Sequence, residues 1–552
     1  MICVDKPQMA DRNSQPMLAN RSTYGRYLYL VLGFLIVLFS LTHVMVLVTM
    51  VGENSDNASI LSVTSDDSAQ AVKVAVRTKW FNDNRWRSYG PLYYRIAHSV
   101  SWMVPYFKTQ DATPLERAQT RNHFSLMIVS LISLALTCYV IAGFFALGLA
   151  ERIGVASVFL SLFLADKTFS SLILLAHPDH LLTLLTALLF VSAYGFVKCH
   201  TRLRLVFIGI TFGLMLSTKL TAILFIPGLC WIFFDKQDAK GSLNAFKVFL
   251  FSTTAAYFII GFPQNFLINK AFSFLKYQSQ FSTLSDGTSL VEWARLFKEQ
   301  MWKPFVFSLV LHLFYQKNSS PELETRPLNR PYSIKLVLLA VFPLIALVSR
   351  KIYTRHDYYT FPFAILFLLT FNALIKDRFS LGFISRFYGM RMLLILLAVP
   401  FFSAWSNAHF ALNLREHTRD RSYYREIQAW IAQKAQGGKT VLLTPYVPFP
   451  QETKGIVTRW AYTFDAVKEI EYSAMALNKK MYIRYLKGDE PNEIVKADYR
   501  DWRPIREFFS YFVEGNNVRT PDGKNWRIVS DKFDIQLWEE NYSDHLKQKQ
   551  KM

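Results

Sequence analysis

The chain has 552 residues, of which 51% are hydrophobic, and it carries a formal net charge of +21. With 47 Phe and 27 Tyr it is too apolar for a soluble protein of this length, yet 19% charged residues are too many for a membrane bundle alone. Basic loops that face anionic lipid account for much of the charge, so we expect a protein embedded in a lipid bilayer, with an additional polar domain and no nucleic-acid partner.

Apolar segments follow one another along most of the chain. Residues 27–52 and 124–150 are uncharged and longer than the roughly 20 residues that cross a hydrocarbon core. The first of them is too long for the apolar core of a signal peptide, and many further segments follow it. Shorter segments predict the other spans, at about 155–176, 180–197, 203–218, 220–234, 245–262, 304–315, 334–348, 359–375 and 391–408. The sequence therefore predicts a polytopic α-helical membrane protein with about eleven transmembrane helices.

The distribution of Lys and Arg predicts the orientation of these spans. Basic residues are more frequent in the connections that lie inside if the N-terminal tail, residues 1–26, is cytoplasmic. An odd number of spans then places the C-terminus on the opposite side. We therefore expect a transmembrane domain over 27–408, which includes a long outer loop at 53–123, and a small extracytoplasmic domain over 409–552.

Residues beyond the last predicted span have the pattern of an α/β domain. Residues 422–435 have helical spacing, and residues 439–444 have the apolar pattern of a buried strand. Residues 526–529 and 533–538 alternate in the manner of a late β-hairpin. No cysteine lies in this region, so neither a disulfide framework nor a Cys-rich metal site is expected there.

Ionisable residues gather where four of the predicted spans meet their outer connections. They are Asp66-Asp67 in the first outer loop, His177-Pro-Asp179-His180 in the second, Lys219 between two short apolar segments, and Arg355-His356 before the tenth span. Charges at the edge of a membrane are costly, so such residues are functional candidates by default. The predicted topology brings all four groups to one face of the membrane.

The order of these motifs resembles that of the GT-C-type integral membrane glycosyltransferases. The residues that carry the resemblance are Ser65-Asp66-Asp67-Ser68-Ala69, Tyr89-Gly90-Pro91-Leu92-Tyr93, His177-Pro178-Asp179 and Ser217-Thr218-Lys219. The chain is most similar to the branch that contains protein O-mannosyltransferases and lipid A aminoarabinose transferases, and the likeness extends over about 27–375. His177 stands where Arg is more usual in this family.

The resemblance implies a transferase that takes a sugar from a polyprenyl-phosphate donor and passes it to a protein, lipid or glycan acceptor. It further implies a GT-C-like fold and an active site that faces the exterior or periplasm, with the bacterial inner membrane as the expected location. Asp66 is the expected catalytic base. Asp67 and Asp179 are expected to support the acceptor or a metal, and a divalent ion on Asp66 and Asp67 is the one cofactor that we consider.

Cations are expected to bind the phosphate of the donor, because the departing group carries negative charge. Lys219 has this role in our interpretation, together with Arg85 or Arg87, since the stretch before Pro91 lacks the Lys or His that some relatives place there. Arg355-His356 is expected to close the site. Tyr89, Pro91, Tyr93 and His177 complete the set of expected site residues.

Each of these residues also has a purely structural interpretation. Asp66 and Asp67 are typical of a helix N-terminus, where a cap contributes about 0.5–2 kcal/mol without any chemistry. Asp179 fits the N-cap of the fourth span. Lys219 and Arg355-His356 fit cations that extend towards lipid headgroups.

A transporter or flippase for a lipid-linked or sugar substrate is the alternative from another functional class. Such proteins use charges near the midplane, broken helices and internal repeats. The sequence contains no repeat and no midplane cluster of charges beyond Asp166-Lys167, which we interpret as a local ion pair or a helix break. A membrane polymerase or ligase of lipid-linked glycans is a third interpretation, but its principal loop would lie later than Asp66-Asp67.

Overall fold

The computed structural model describes several separate ranges of the chain from residue 90 onwards, together with a few helical positions before residue 90. The described residues are 90–103, 114–145, 149–174, 177–234, 239–272, 290–314, 330–349, 361–378, 397–409, 421–436, 440–443, 472–478, 517–520, 524–532 and 535–541, with isolated positions between 31 and 41 and at 412, 447 and 512. Most of the first predicted span and most of the first outer loop lie outside them.

The described part of the chain is mostly helical. Its helices include α1 (Pro91–Ser101), α2 (Pro114–Ala142), α3 (Leu149–Leu164), α4 (Lys167–Leu174), α5 (Asp179–Lys198), α6 (Arg202–Thr218), α7 (Ile226–Phe233), α8 (Ala239–Gly261), α9 (Leu290–Phe314), α10 (Arg330–Ser349), α11 (Phe361–Arg378) and α12 (Arg421–Lys434). Short 3₁₀ helices at Leu220–Phe225 and Gln264–Phe266 join α6 to α7 and follow α8.

Three of these helices are long and apolar enough to cross a membrane: Arg121–Ala142, Asp179–Lys198 and Ala239–Gly261. Shorter apolar helices occur at Leu220–Phe233, Ser333–Pro343 and Phe361–Ile375. Each of these six segments overlaps a span that the sequence predicts. The protein is therefore a helical membrane protein, and the described residues contain a few helices that can span a bilayer.

The segment predicted as a single span over 155–176 is instead two helices. Helix α3 ends at Leu164, and α4 begins at Lys167 with the Asp166 Oδ1 accepting a hydrogen bond from the Phe169 amide at 3.3 Å. A carboxylate in this position satisfies an amide that the start of a helix leaves without an internal partner. Asp166-Lys167 thus marks a helix break, which is one of the two interpretations left open by the sequence.

Other predicted boundaries also shift. Helix α2 ends at Ala142 rather than continuing to residue 150, because Gly143 begins a turn and α3 starts separately at Leu149. Helix α9 begins at Leu290, well before the short span predicted from residue 304, since its first turns carry charged residues that an apolar criterion rejects.

Helix α6 packs closely on α8 through two glycines. A Cβ at Gly213 would lie 2.5 Å from the Thr253 carbonyl oxygen and 2.8 Å from the Ala256 Cβ, and one at Gly209 would overlap the Ser252 hydroxyl. Gly209 and Gly213 have the G-x-x-x-G spacing that permits the backbones of two membrane helices to approach. The glycines thereby fix α6, whose C-terminus carries Lys219, against α8.

Cations from neighbouring helices bind the C-terminal carbonyls of α5 and α7. Arg204 donates to the Gly195 and Cys199 carbonyls at the end of α5, and Lys335 donates to those of Ile232 and Phe234 at 3.2 and 2.8 Å. The Gly195 carbonyl also accepts from the Cys199 amide at 3.0 Å, and a positive charge is favoured at this end of a helix. Arg204 therefore links α6 to α5, and Lys335 links α10 to α7.

A five-stranded sheet forms the C-terminal part of the fold. Its strands are β1 (Thr440–Leu443), β2 (Tyr472–Asn478), β3 (Asn517–Arg519), β4 (Asn525–Lys532) and β5 (Ile535–Glu540), in the order β1-β2-β5-β4-β3. Strand β1 is parallel to β2, and the other neighbours are antiparallel. The predicted helix, the first strand and the late hairpin are confirmed.

Helix α12 covers one face of this sheet with Ile427 and Ile431, which pack on Val441, Ala474 and Leu537. On the other side of β2 and β5, the rings of Trp526 and Trp538 are fully buried. Burial on both faces explains why β1 and β2 have nearly continuous apolar sequences instead of strict alternation.

Candidate functional site

Seven of the expected site residues lie outside the described part of the chain. They are Asp66, Asp67, Arg85, Arg87, Tyr89, Arg355 and His356. The other five, Pro91, Tyr93, His177, Asp179 and Lys219, are described, and all five are buried.

Asp179 and Lys219 form a buried ion pair. Asp179 is the first residue of α5, and Lys219 follows the last residue of α6. The Lys219 Nζ donates to both carboxylate oxygens of Asp179 at 3.0 Å, and the two side chains are 1% and 4% exposed. Residues 40 positions apart in sequence are therefore joined by a charge-assisted, two-oxygen contact.

His177 shares this carboxylate. Its Nδ1 contacts the Asp179 Oδ2, so the imidazole and the ammonium approach the same carboxylate. Pro178 occupies the N-cap position of α5 without a side-chain cap. The Asp179 carboxylate thus binds the Lys219 ammonium and contacts the His177 ring rather than capping its own helix, which differs from the structural interpretation of Asp179 as an N-cap.

Tyr93 extends the cluster into the bundle. Its hydroxyl lies 3.0 Å from the Ser130 Oγ and 3.2 Å from the Leu126 carbonyl oxygen, and the Ser130 hydroxyl donates to the His177 carbonyl at 3.4 Å. Tyr93 and Ser130 are both fully buried. A polar path therefore leads from α1 through α2 to the turn that carries Asp179.

Gly90 and Pro91 bring the end of the first outer loop to the same place. The Gly90 amide donates to the Thr218 carbonyl at 2.9 Å, and a Cβ at Gly90 would overlap the Ser217 carbonyl. Pro91 begins α1, where its missing amide hydrogen costs nothing. The Tyr89–Tyr93 motif therefore meets the Ser217–Lys219 motif directly, with glycine required by the close approach.

The start of α11 reaches this cluster from a fourth part of the chain. The Phe361 ring stacks on that of Phe169 at 3.7 Å between centroids and lies parallel to the His180 ring at 6.4 Å. The His180 Nε2 is 3.0 Å from the Phe169 carbonyl oxygen, to which it donates. Arg355-His356, the last of the predicted motifs, precedes Phe361 in the sequence but lies outside the described residues.

Several residues of this region were not singled out by the sequence. Ser130 lies inside an apolar span with no local signal for its role. Asn265 donates to the Ser217 Oγ at 3.0 Å, and Arg95 is buried at 1% exposure beside the end of α8. Arg95 had a usable signal, because an arginine among the apolar and aromatic residues of α1 is costly unless it is bound.

The described residues include no group of three or more His, Cys, Asp or Glu side chains placed to hold a metal ion. Asp179 fits such a role poorly, because the Lys219 ammonium already lies 3.0 Å from both of its oxygens. A divalent ion there would have to displace this ammonium. The expectation of metal support therefore concerns Asp66 and Asp67, which lie outside the described residues.

Four segments that are distant in the chain thus meet at one end of the bundle. The cluster presents a lysine and a histidine on one carboxylate, and it joins directly to the segment that follows the first outer loop. Such a cluster can hold a cation at a fixed position for an anionic group of a substrate. A comparison with protein-family models and with curated proteins finds no match for this chain.

Proposed function

We propose that the protein is a GT-C-type membrane glycosyltransferase with about eleven transmembrane helices. It transfers a sugar from a polyprenyl-phosphate donor to an acceptor hydroxyl of a protein, lipid or glycan. The active site opens on the extracytoplasmic face, where the α/β domain of the C-terminal region also lies, and the expected location is the bacterial inner membrane. This topology follows from the Lys and Arg distribution along the sequence.

The observation that carries the proposal is the junction of Gly90, Asp179 and Lys219. Each of the three belongs to a different motif of the resemblance. The Gly90 amide donates to the carbonyl of Thr218, and the ammonium of the next residue, Lys219, binds the Asp179 carboxylate. Asp179 begins α5 and Lys219 follows the end of the next helix, α6, so their proximity is expected, but the burial of both charges there is costly. Their meeting supports a common site.

The chemistry requires a base for the acceptor and positive charge for the leaving group. The acceptor oxygen attacks the anomeric carbon, the bond from this carbon to the phosphate oxygen breaks, and polyprenyl phosphate departs with the bonding electrons. Asp66 takes the proton from the acceptor hydroxyl. A carboxylate with a normal pKa of about 3.9 is a weak base, so this transfer occurs late, as the glycosidic bond breaks.

Lys219 stabilises the negative charge on the departing phosphate, with Arg85 or Arg87 as a second cation. Asp179 holds the ammonium in place and compensates for its burial until the donor binds, and His177 contacts the same carboxylate. Preorganised charge of this kind in a site without bulk water is the largest single contribution in many enzymes.

A transporter or flippase is the second candidate, and the break between α3 and α4 favours it. Broken helices and buried ion pairs also form the substrate sites of transporters. The two candidates differ in covalent outcome, because a transporter leaves the bond between sugar and phosphate intact.

The test is release of free polyprenyl phosphate from a panel of polyprenyl-phosphate sugars by the purified protein in lipid discs, with membrane extract as acceptor. We expect one donor to be cleaved, and Asp66→Asn to abolish cleavage while the protein remains folded. Asp67→Asn is the matched control and should retain more activity than Asp66→Asn. Absence of release from every donor would reject the transferase and favour the transporter.

A further inference from the structure

Arg95 is an unusual residue to find inside a bundle. It lies in the middle of α1, is 1% exposed, and donates through both terminal nitrogens to the carbonyls of Ile260 and Phe262. These carbonyls belong to the end of α8, where the helix leaves acceptors without internal partners. A guanidinium satisfies two such acceptors at once because its donors form a planar fork, which a lysine cannot reproduce.

The segment that Arg95 binds continues directly to the Lys219 motif. Two residues after the second bound carbonyl, the 3₁₀ helix Gln264–Phe266 begins, and its Asn265 donates to the Ser217 Oγ at 3.0 Å and to the Tyr257 carbonyl at 2.7 Å. A Cβ at Gly261 would overlap the Asn265 amide, so glycine permits this close approach. Ser217 is two residues before Lys219.

A second connection closes a ring. Gly90 donates to the Thr218 carbonyl at 2.9 Å, and Gly90 directly precedes the helix that carries Arg95. The ring therefore runs from Arg95 to the end of α8, through Asn265 to Ser217, and from Thr218 back through Gly90 to α1. Lys219 directly follows Thr218 of this ring, and its backbone amide donates to the Met215 carbonyl at 2.8 Å.

We propose that Arg95 is a positioning residue, which fixes the backbone at 217–219 and so holds the Lys219 ammonium at the site. The role in turnover rests on the proposed function, whereas the role in fixing the backbone does not. Displacement of a catalytic group by about 1 Å can lower a rate about 100-fold, so a loss of position appears in kcat rather than in folding.

The test compares Arg95→Lys with Arg204→Lys in the full chain in lipid discs. Arg204 is a matched control, because it also binds the carbonyls of a helix C-terminus but does so at the opposite end of α6. We expect Arg95→Lys to speed hydrogen exchange at least 10-fold in peptides that cover 215–222, and Arg204→Lys to leave these peptides unchanged. Where a donor is cleaved, kcat should fall about 10–100-fold for Arg95→Lys with little change in KM.

Unchanged exchange at 215–222 in Arg95→Lys would overturn the proposal, as would an unchanged kcat per folded molecule in an active protein. If Arg95→Lys does not fold, Asn265→Ala breaks the same ring and is judged by the same two results. Faster exchange in a protein whose wild type cleaves no donor would retain the positioning role and reject only the proposed function.

Discussion

Asp179 and Lys219 are costly residues to bury, and each depends on the other. Removing a charge from water carries a penalty of several kcal/mol, which the pair offsets through the two contacts at 3.0 Å. Loss of one partner leaves an uncompensated charge, which typically costs about 3–5 kcal/mol, whereas joint replacement by neutral groups costs far less. The coupling free energy between Asp179 and Lys219 can therefore be measured.

We predict that Asp179→Asn and Lys219→Gln each lower thermal stability strongly, and that the double variant is more stable than the sum of the two losses implies. Double-mutant analysis of thermal unfolding in lipid discs measures this coupling. The exposed pair of Glu426 and Lys532, whose nitrogen and oxygen are 3.4 Å apart, is the control and should show a coupling of only about 0–1 kcal/mol. Strictly additive losses at Asp179 and Lys219 would contradict the pairing.

The sequence identified Asp179, Lys219 and His177 as candidates, because ionisable residues at membrane edges are rarely accidental. It did not predict that Lys219 binds Asp179, since nothing local connects positions 40 residues apart. Asn265 and Ser130 were missed for the same reason, because the value of each depends on a hydroxyl or carbonyl that only the fold brings close. Arg95 was missed although an arginine in an apolar segment is a usable signal, and only the identity of its carbonyl partners required the fold.

Helix α6 is the element on which the site depends. Its C-terminus carries Lys219, its N-terminal turn binds the end of α5 through Arg204, and its glycine face packs on α8. Because interiors are packed as closely as crystals, even one added methyl group at this face must displace backbone. The spacing of Gly209 and Gly213 was present in the sequence and would have predicted the contact.

We predict that Gly213→Ala destabilises the bundle by about 1–3 kcal/mol through overpacking. Its Cβ would lie 2.5 Å from the Thr253 carbonyl, which cannot move independently of α8. Gly195→Ala is the matched control within a helix, because its nearest neighbour is the end of the Arg204 side chain at 3.2 Å, and it should be neutral or slightly stabilising. Equal thermal stability of the two variants would contradict the close packing of α6 on α8.

Helix α12 is tied to strand β5 by Glu539. Partial burial alone would raise the pKa of its carboxyl group, but the Lys434 ammonium at 2.6 Å, together with hydrogen bonds from Trp430 and Arg527, lowers the pKa below its usual value of 4.5. A group whose pKa is lower in the folded protein stabilises the fold above its unfolded pKa. This stabilisation is lost as the pH falls through the folded value.

We therefore predict that Glu539→Gln weakens the protection of β5 from hydrogen exchange at pH 7, and that the difference from wild type disappears below about pH 4.5. Comparison of the two proteins at each pH cancels the intrinsic pH dependence of exchange. Glu426→Gln, which removes an exposed pair with Lys532, should change the protection at neither pH. If the difference in β5 protection between wild type and Glu539→Gln grew as the pH fell, the pKa of Glu539 would be raised in the folded protein and the prediction would be wrong.

The elements that the sequence predicted best are those with strong local periodicity. Helix α5, helix α12 and the hairpin of β4 and β5 formed at the expected places. Strand β2 was not predicted, because it is buried between β1 and β5 and its short apolar sequence has no clear period. The break at Asp166 was ambiguous, since a local ion pair and a helix break are both compatible with Asp166-Lys167.

Some of the basic residues of this protein bind the protein's own backbone rather than lipid. The sequence attributed the net charge of +21 largely to loops that face anionic lipid. Arg95, Arg204 and Lys335 instead bind backbone carbonyls at helix ends, so part of the charge holds the bundle together. A count of basic residues in the predicted connections therefore overestimates the number that can contact lipid headgroups. The orientation inferred from that count remains a prediction.

We propose that the bundle holds the Lys219 ammonium at a fixed position, where it binds the phosphate of a lipid carrier. The measurement that tests this proposal most directly is cleavage of a polyprenyl-phosphate sugar by wild type and by the double variant Asp179→Asn with Lys219→Gln. The double variant removes the charges without leaving either one unpaired.

We predict that wild type releases polyprenyl phosphate and that the folded double variant does so at least about 100-fold more slowly, because the cation at the leaving group is gone. Release at equal rates would contradict the placement of the reaction at Asp179 and Lys219. No release by wild type from any donor would contradict the reaction itself.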